Sequence, residues 1–364
     1  MKKRSNSLKG VGSCIVFTVL AFFILIVFIA PKPSFAQAPI VLKLSSFLPE
    51  TGTEGIMGRW WGTEVEKRTN GRVEIQYYFA ESLVKTIDSL PAVSSGITDV
   101  QFFAPGYFPS QLPLSGGPDL LYQTRSNWVS AKAYNEMADT FAPFQKMLKD
   151  NNIVLMSTWP ASEVVMISSK PIKTLADLKG KKIRAMGLMN NAIKMLGATP
   201  VAMPLPEVYE ALERGTIDAV TGLPYHLVVT FKMHEVAKYL VNPGIGCYAS
   251  GGYFMNLKTW NKLPDDIKQI IQKINEEFPD VAARTSNDVL KKTTDTLLKA
   301  KVDIYSLPLD EVAKWKTILV PRIYDDWAKQ MESKSLAGKE TLNKYQELIK
   351  KYSGQDKYVS PYPK

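Results

Sequence analysis

The segment from Lys179 to Val220 contains an arginine in a position suited to holding an anion. Its residues "KKIRAM" alternate like a strand that ends on Arg184, and Gly187 then allows a helix to begin near Met189. A guanidinium binds a carboxylate through two parallel hydrogen bonds, and a helix amino terminus adds a second attraction for negative charge. The local pattern is compatible with an anion clamp, although by itself it favours an ordinary surface arginine on a lysine-rich strand.

The sequence offers little for catalysis or metal binding. Its two histidines, His226 and His234, are eight residues apart and have no cysteine or carboxylate partners at metal-ligand spacing. Cys247 lies among glycines in "GIGCYASGG", which is more typical of a small packed residue than of a nucleophile. No Gly-x-Ser-x-Gly, phosphate-loop or dinucleotide motif occurs. We predict no catalytic residues, no metal and no cofactor, so an enzyme is the weaker hypothesis.

The amino terminus has the order of a secretory signal peptide. A basic start precedes the uncharged run Cys14–Ala30, and Ser34 and Ala36 are the small residues of a cleavage site. We therefore predict a signal peptide over residues 1–36, cleaved after Ala36, and a periplasmic protein. The length of the apolar run leaves an uncleaved membrane anchor as the alternative.

Much of the positive charge belongs to that leader. Because residues 1–36 carry five cations and no acid, the formal charge falls from +10 for the whole chain to +5 without them. No dense basic run with interleaved aromatic residues remains, so we predict no nucleic-acid partner. Cys247 is then the one remaining cysteine, which excludes an internal disulfide.

The rest of the chain alternates predicted strands with predicted helices, which favours parallel α/β sheets. The chain contains two such runs and returns to both of them late in the sequence. This order predicts an α/β fold of two lobes, with the chain crossing between them near residues 159–162 and 249. The predicted divisions are 37–160 with about 249–290 for lobe I, 161–248 with about 291–330 for lobe II, and 331–364 for a carboxyl-terminal helix and loose tail. Ligands of such folds bind at the carboxyl ends of strands.

At this point a family resemblance becomes specific. The segments "LADLKGKKIRAMG", "LGATPVAMPLPEVYEALERGTIDAV" and "MNLKTWNKLPDDIKQII" resemble the solute-binding proteins of tripartite ATP-independent periplasmic (TRAP) transporters. The resemblance implies a type II-like periplasmic-binding-protein fold with a ligand cleft between lobes, a long crossing helix and carboxyl-terminal helices. It also implies a receptor that binds an organic acid and delivers it to TRAP permease subunits. The arginine of the family's Lys-[Ile/Leu]-Arg segment grips the substrate carboxylate, and that position here is Arg184.

The sequence departs from sialic-acid-type members of the family. Val164, beside Glu163, stands where those members carry another arginine, and "DAVTGLP" lacks their asparagine ligand. An apolar acid is therefore expected: an aromatic or branched carboxylate, or a keto acid. The expected substrate-binding residues are Arg184, Phe47, Trp159, Glu163, Val164, Met189, Leu223 and Tyr225, with Glu207 and Tyr209 bracing Arg184 from behind.

Three other functions stay open at the level of sequence. A solute receptor of another importer has the same two-lobed architecture, and a sensor subunit could report the same solute. An enzyme would change its ligand chemically, whereas a receptor is stabilised by the ligand and returns it unchanged.

Overall fold

The computed structural model describes residues 38–159, 161–247 and 251–358. The predicted signal peptide, its cleavage site after Ala36 and the predicted junction near residue 249 lie outside those ranges. The described residues form eleven strands, which are arranged in two sheets, and twelve α-helices. None of the helices in these ranges is both long enough and apolar enough to cross a bilayer.

The first sheet has five strands. In spatial order they are Val73–Tyr78 (β2), Ile40–Ser46 (β1), Val100–Phe103 (β3), Gly252–Asn256 (β10) and Ile153–Thr158 (β4). Strands β1, β2 and β3 are parallel, and β10 is antiparallel to both of its neighbours. The carboxyl ends of the three parallel strands therefore lie at the same edge of the sheet.

The second sheet has six strands. In spatial order they are Asp303–Ser306 (β11), Tyr239–Asn242 (β9), Val164–Ser168 (β5), Ala219–Pro224 (β8), Lys182–Arg184 (β6) and Thr199–Val201 (β7). Strand β6 pairs in parallel with both β7 and β8, whereas β5 is antiparallel to β8 and β9. Arg184 is thus the last residue of a strand inside the sheet.

The expectation of parallel sheets is wrong in detail, because each sheet is mixed. The antiparallel strands β5 and β10 are those that the chain enters directly from the other sheet. A strand that enters its sheet directly, without a crossover helix, can pair antiparallel with its neighbours. Alternation along the sequence indicates strands and helices but does not reveal which strands change sheets.

The chain passes between the sheets three times. It leaves β4 at Thr158 and enters β5 at Val164, and it returns between Asn242 and Gly252. The 35-residue helix Asp265–Lys299 (α10) then leads from the first sheet to β11 of the second. This helix matches the expected long crossing helix of a two-lobed fold.

The helices cover the sheets through their buried faces. Before α10 they are Thr53–Arg68 (α1), Ser89–Ser95 (α2), Asn127–Thr140 (α3), Ala142–Asp150 (α4), Leu188–Met195 (α5), Val208–Glu213 (α6), Leu227–Thr230 (α7), Met233–Val236 (α8) and Leu257–Lys262 (α9). After it come Leu309–Glu332 (α11) and Gly338–Ser353 (α12). Large side chains such as Trp61 in α1 and Trp315 in α11 are fully buried, and burial of apolar surface is the main source of stability of such a fold.

Candidate functional site

Arg184 is a buried cation at the end of β6. Its side chain is 1% exposed, and Nε donates to the carbonyl oxygen of Met203 at 3.0 Å. Nη2 donates to the hydroxyl of Tyr107 at 3.2 Å. No carboxylate in the described part of the chain forms an ion pair with it. A charge removed from water without a counter-charge is costly, so this guanidinium is suited to receive an anion.

Tyr107 comes from the first sheet, at the end of the segment that follows β3. Its hydroxyl oxygen accepts hydrogen bonds from Arg184 and from the backbone N–H of Leu205 at 3.3 Å. A hydroxyl that accepts twice still has one proton to donate. The contact joins the two lobes beside the guanidinium and adds a second donor there.

A cavity lies against Arg184 at the carboxyl ends of the parallel strands of both sheets. It contains about 710 Å³ of space free of protein atoms, open solvent at its mouth included. From the first lobe it is lined by Phe47, Leu48, Glu54, Phe102, Ala104, Gly106, Tyr107 and Asp119. From the second it is lined by Arg184, Met186, Gly187, Leu188, Met189, Leu205, Gly222, Leu223, Pro224 and Leu227. The walls are mainly apolar, and Arg184 is the one basic residue among these lining side chains.

Gly187 and Gly106 lie opposite each other where the two lobes meet at this cavity. Gly187 has a φ of +53°, a conformation that side chains rarely adopt, and it directs the chain from β6 into α5. A Cβ placed on Gly187 would lie 3.5 Å from the Cα of Gly106. The predicted helix near Met189 is α5, and it begins at Leu188.

Asp119 adds a carboxyl group to the cavity. Its Oδ1 is enclosed and has no hydrogen-bond partner among the described residues. Burial raises the pKa of this carboxyl well above its usual range because the charged form loses its hydration. The group therefore holds its proton at a pH where an exposed aspartate is charged, and it does not compete with an anion for Arg184.

Glu54 and His226 form a second contact between the lobes. Glu54 lies in the first turn of α1, and its Oε1 is 2.9 Å from Nε2 of His226, which precedes α7. Both side chains are almost fully buried. The ring of His226 rests edge-on against Trp159, with 6.4 Å between ring centroids. Of this pair, Glu54 lines the cavity and His226 lies behind it.

The comparisons with known proteins identify the family. The profile described as "bacterial extracellular solute-binding protein, family 7" (DctP) matches residues 44–330. The chain is a TRAP solute-binding protein. It is 26% identical over 315 residues to the C4-dicarboxylate-binding periplasmic protein DctP of Rhodobacter capsulatus, an alignment that covers 84% of this chain and 91% of that protein.

Two solved TRAP solute-binding proteins have a similar structure. One, from a marine metagenome, is specific for aromatic acid ligands and was solved with metahydroxyphenylacetate; the TM-score is 0.78 at 26% identity, covering 86% of this chain and 99% of that one. The other, from Rhodoferax ferrireducens T118, holds copurified benzoate; the TM-score is 0.77 at 25% identity, covering 87% and 99%. The two-lobed periplasmic-binding fold predicted from the sequence is thereby confirmed.

Four of the expected substrate-binding residues line the cavity of this TRAP protein: Arg184, Phe47, Met189 and Leu223. The other four lie behind or beside it. Trp159 is buried against His226, and Val164 pairs with Pro224 between β5 and β8. The Tyr225 hydroxyl is 3.1 Å from Oγ1 of Thr294 in α10. These three side chains support the cavity from outside its lining.

Glu163 occupies a different place from the one expected. Its carboxylate is 1% exposed, with Oε1 bonded to Nε of Arg125 and Oε2 bonded to Nδ2 of Asn242. Both oxygens are thus occupied by protein donors at the passage between the sheets. Glu163 is placed to fix the connection between the lobes and does not face the cavity.

The residues that brace Arg184 also differ from those expected. Glu207 is exposed, and Tyr209 donates its hydroxyl to Glu235 at 3.4 Å. The contacts of Arg184 are instead the Met203 carbonyl and Tyr107. Helix α6 starts one residue after Glu207, and its polar side faces solvent, so these two side chains lie away from the end of β6.

Three polar groups of the site were missed from the sequence: Tyr107, Asp119 and Glu54. The first two lie in or next to a Pro/Gly-rich stretch that follows β3, and the third lies in "GTEGIMG" after β1. Their position just beyond the carboxyl ends of parallel strands was the available signal. Neither residue type nor spacing distinguishes them from ordinary loop and helix residues.

Proposed function

We propose that this receptor binds an apolar, aromatic monocarboxylate, with the carboxylate on Arg184 and Tyr107. The observation that carries the proposal is a fully buried guanidinium without an acidic partner in the described chain, facing a cavity with apolar walls. Arg184 supplies charge and directional donors, and Tyr107 supplies its remaining proton. The rings of Phe47 and Phe102 provide a surface for an aromatic ligand.

A single carboxylate fits the charges of the site better than two. A C4-dicarboxylate carries a second negative charge, but the lining side chains include only Arg184 as a base and add the acids Glu54 and Asp119. A sugar acid requires polar partners around its whole ring, and most of the lining is apolar. The aromatic-acid ligands of the two similar structures support the same ligand class.

The receptor role is supported by polar contacts that join the two lobes at the cavity. Arg184 and Tyr107 come from different sheets, as do Glu54 and His226. A ligand that contacts both lobes binds the closed state more tightly and shifts the population towards it. We propose that the closed receptor then delivers the acid, chemically unchanged, to a TRAP permease in the membrane, and that the mature chain begins after cleavage at Ala36 in the periplasm.

The test is a ligand panel on the purified mature chain. Benzoate, phenylacetate, 4-methyl-2-oxopentanoate, succinate and galacturonate are compared by thermal shift and titration calorimetry. We expect the aromatic acids to stabilise the protein most and to be recovered intact by mass spectrometry. Stabilisation by succinate or galacturonate alone would overturn the proposed ligand class, and chemical conversion of a bound acid would overturn the receptor role.

A further inference from the structure

The carboxylate of Glu54 is only half satisfied by the protein. The residue is 2% exposed, and Oε1 is bonded to His226. Oε2 is enclosed, yet no donor within the described ranges reaches it. Glu54 is one of the residues that line the cavity together with Arg184, and the protein leaves this acceptor oxygen unfilled within the described ranges.

Glu163, another buried acid at the junction of the lobes, provides a comparison. Glu163 is equally buried, but one of its oxygens accepts from Arg125 and the other from Asn242. Leaving a buried acceptor without a donor costs free energy, and the cost is larger when the group is charged. The contrast indicates that the missing donor of Glu54 belongs to the ligand.

Neighbouring groups do not supply that donor. The Tyr253 hydroxyl donates to the backbone carbonyl of Glu54 at 2.7 Å and so does not serve its side chain. Arg184 makes its two hydrogen bonds elsewhere. The other acid of the cavity, Asp119, holds its proton because burial raises the pKa of its carboxyl. Glu54 therefore offers the site an acceptor oxygen that no described donor fills, and Arg184 is the anion-binding group.

We propose that Oε2 of Glu54 accepts a hydrogen bond from a hydroxyl of the ligand, so that the receptor selects a hydroxy-substituted aromatic acid over its unsubstituted parent. The proposal rests on the function proposed above and adds a second recognition element to it. An ammonium group could also donate to Glu54. The apolar walls and the contact with His226 on Oε1 favour a neutral hydroxyl, because a cation would lose its hydration there with only one free carboxylate oxygen to compensate.

The test compares ligands that differ only at one ring position. Dissociation constants are measured by calorimetry for benzoate, 3- and 4-hydroxybenzoate, 3- and 4-fluorobenzoate, and 4-(aminomethyl)benzoate. Fluorine is close in size to a hydroxyl and has no proton to donate. We expect the better hydroxybenzoate to bind about 10- to 100-fold more tightly than benzoate and its fluoro counterpart, the range for a hydrogen bond to a charged group.

Two variants separate recognition from lobe contact. Glu54→Gln retains the shape of the side chain but replaces the charged acceptor, and we expect the hydroxyl preference to fall to about threefold or less. Glu50→Gln makes the same change in an exposed residue of the same segment, where the native Glu50 pairs with Arg59, and should leave the preference unchanged. If Glu54 only held the lobes together, Glu54→Gln would weaken every ligand equally.

The outcomes distinguish the two proposals. Benzoate binding without any gain from a hydroxyl would overturn the role of Glu54 and leave the proposed function intact. Absence of binding by all these acids would overturn both. Tightest binding of 4-(aminomethyl)benzoate, equal binding of the fluoro and hydroxy acids, or uniform weakening in Glu54→Gln would each refute the hydroxyl contact. The wild-type ligand series decides the matter even if the variant does not fold.

Discussion

Replacement of Arg184 with alanine removes the only basic side chain that lines the described cavity. In the complex that we propose, the ligand carboxylate lies within contact distance of the guanidinium. Two unit charges about 4 Å apart attract by about 4 kcal/mol at an effective dielectric constant of about 20. Loss of one partner of a buried pair costs about 3–5 kcal/mol. The two values agree and correspond to a loss of affinity of about 10²- to 10³·⁵-fold.

The empty protein should tolerate the same change. Arg184 donates only two hydrogen bonds within the described chain, to Met203 and Tyr107, and its buried charge is uncompensated in the absence of ligand. Loss of the hydrogen bonds and loss of an unfavourable charge act in opposite directions. We therefore expect a Tm close to that of the wild type without ligand, and no Tm increase on addition of benzoate.

Calorimetry and thermal unfolding together test this reasoning. Arg214→Ala is the matched control, because Arg214 lies in the same lobe, is 70% exposed and, among the described residues, forms an ion pair with Glu210 of the helix that it follows. Its removal should leave benzoate affinity unchanged. Unchanged affinity in Arg184→Ala would refute the carboxylate clamp, and a large fall in the Tm of the empty variant would show that Arg184 is chiefly structural.

Four further substitutions test individual contacts. Tyr107→Phe removes the hydroxyl beside Arg184 and should weaken benzoate about tenfold in calorimetry; an unchanged Kd would exclude this donor. Asp119→Asn should unfold at a higher temperature than wild type, by a margin that grows as the pH rises from about 4 to 7. In this pH range Asp119 is ionised in the unfolded chain but protonated in the folded chain, so the stability of the wild type falls by up to about 1.4 kcal/mol per pH unit as the pH rises. A difference in unfolding temperature between variant and wild type that stays constant with pH would contradict the raised pKa of Asp119. Glu163→Gln should lower stability by about 1–2 kcal/mol, since its partner Arg125 is 52% exposed, and change benzoate affinity less than threefold; a selective loss of binding would place Glu163 in the site. Gly187→Ala should lower the free energy of unfolding, measured by denaturant titration, by about 1–3 kcal/mol because of the positive φ at this position. An unchanged free energy of unfolding would show that the turn relaxes.

Local sequence patterns were sufficient for the parts of the fold that depend on neighbouring residues. The alternation in "KKIRAM" and the helix after Gly187 appear in the structure as β6 and α5. The long amphipathic run from about residue 264 is α10. Such elements follow from periodicity and from helix-ending residues, which act within a few positions of the chain.

Contacts between lobes were beyond local patterns. The sequence indicated Arg184 as an anion-binding residue, but the side chain to which it donates, Tyr107, is 77 positions away in the chain. Glu163 and Val164 come shortly after β4 and were expected at the cleft. Glu163 is instead bonded to Arg125 at the passage between the sheets, and Val164 lies inside the second sheet. Which side of a strand faces a cleft depends on the strands beside it, and the spatial order of strands in a sheet is a property of the whole fold.

The sequence by itself determined that this protein is an α/β receptor of the TRAP type, with an arginine at the end of one strand and no motif for catalysis. Those features depend on residue type, period and short motifs. Only the tertiary structure decided that, among the described residues, Arg184 is buried without a counter-charge, that one oxygen of Glu54 has no donor, and that both oxygens of Glu163 have one. Whether a charged group is paired depends on residues brought together from distant parts of the chain, and no local pattern contains that information.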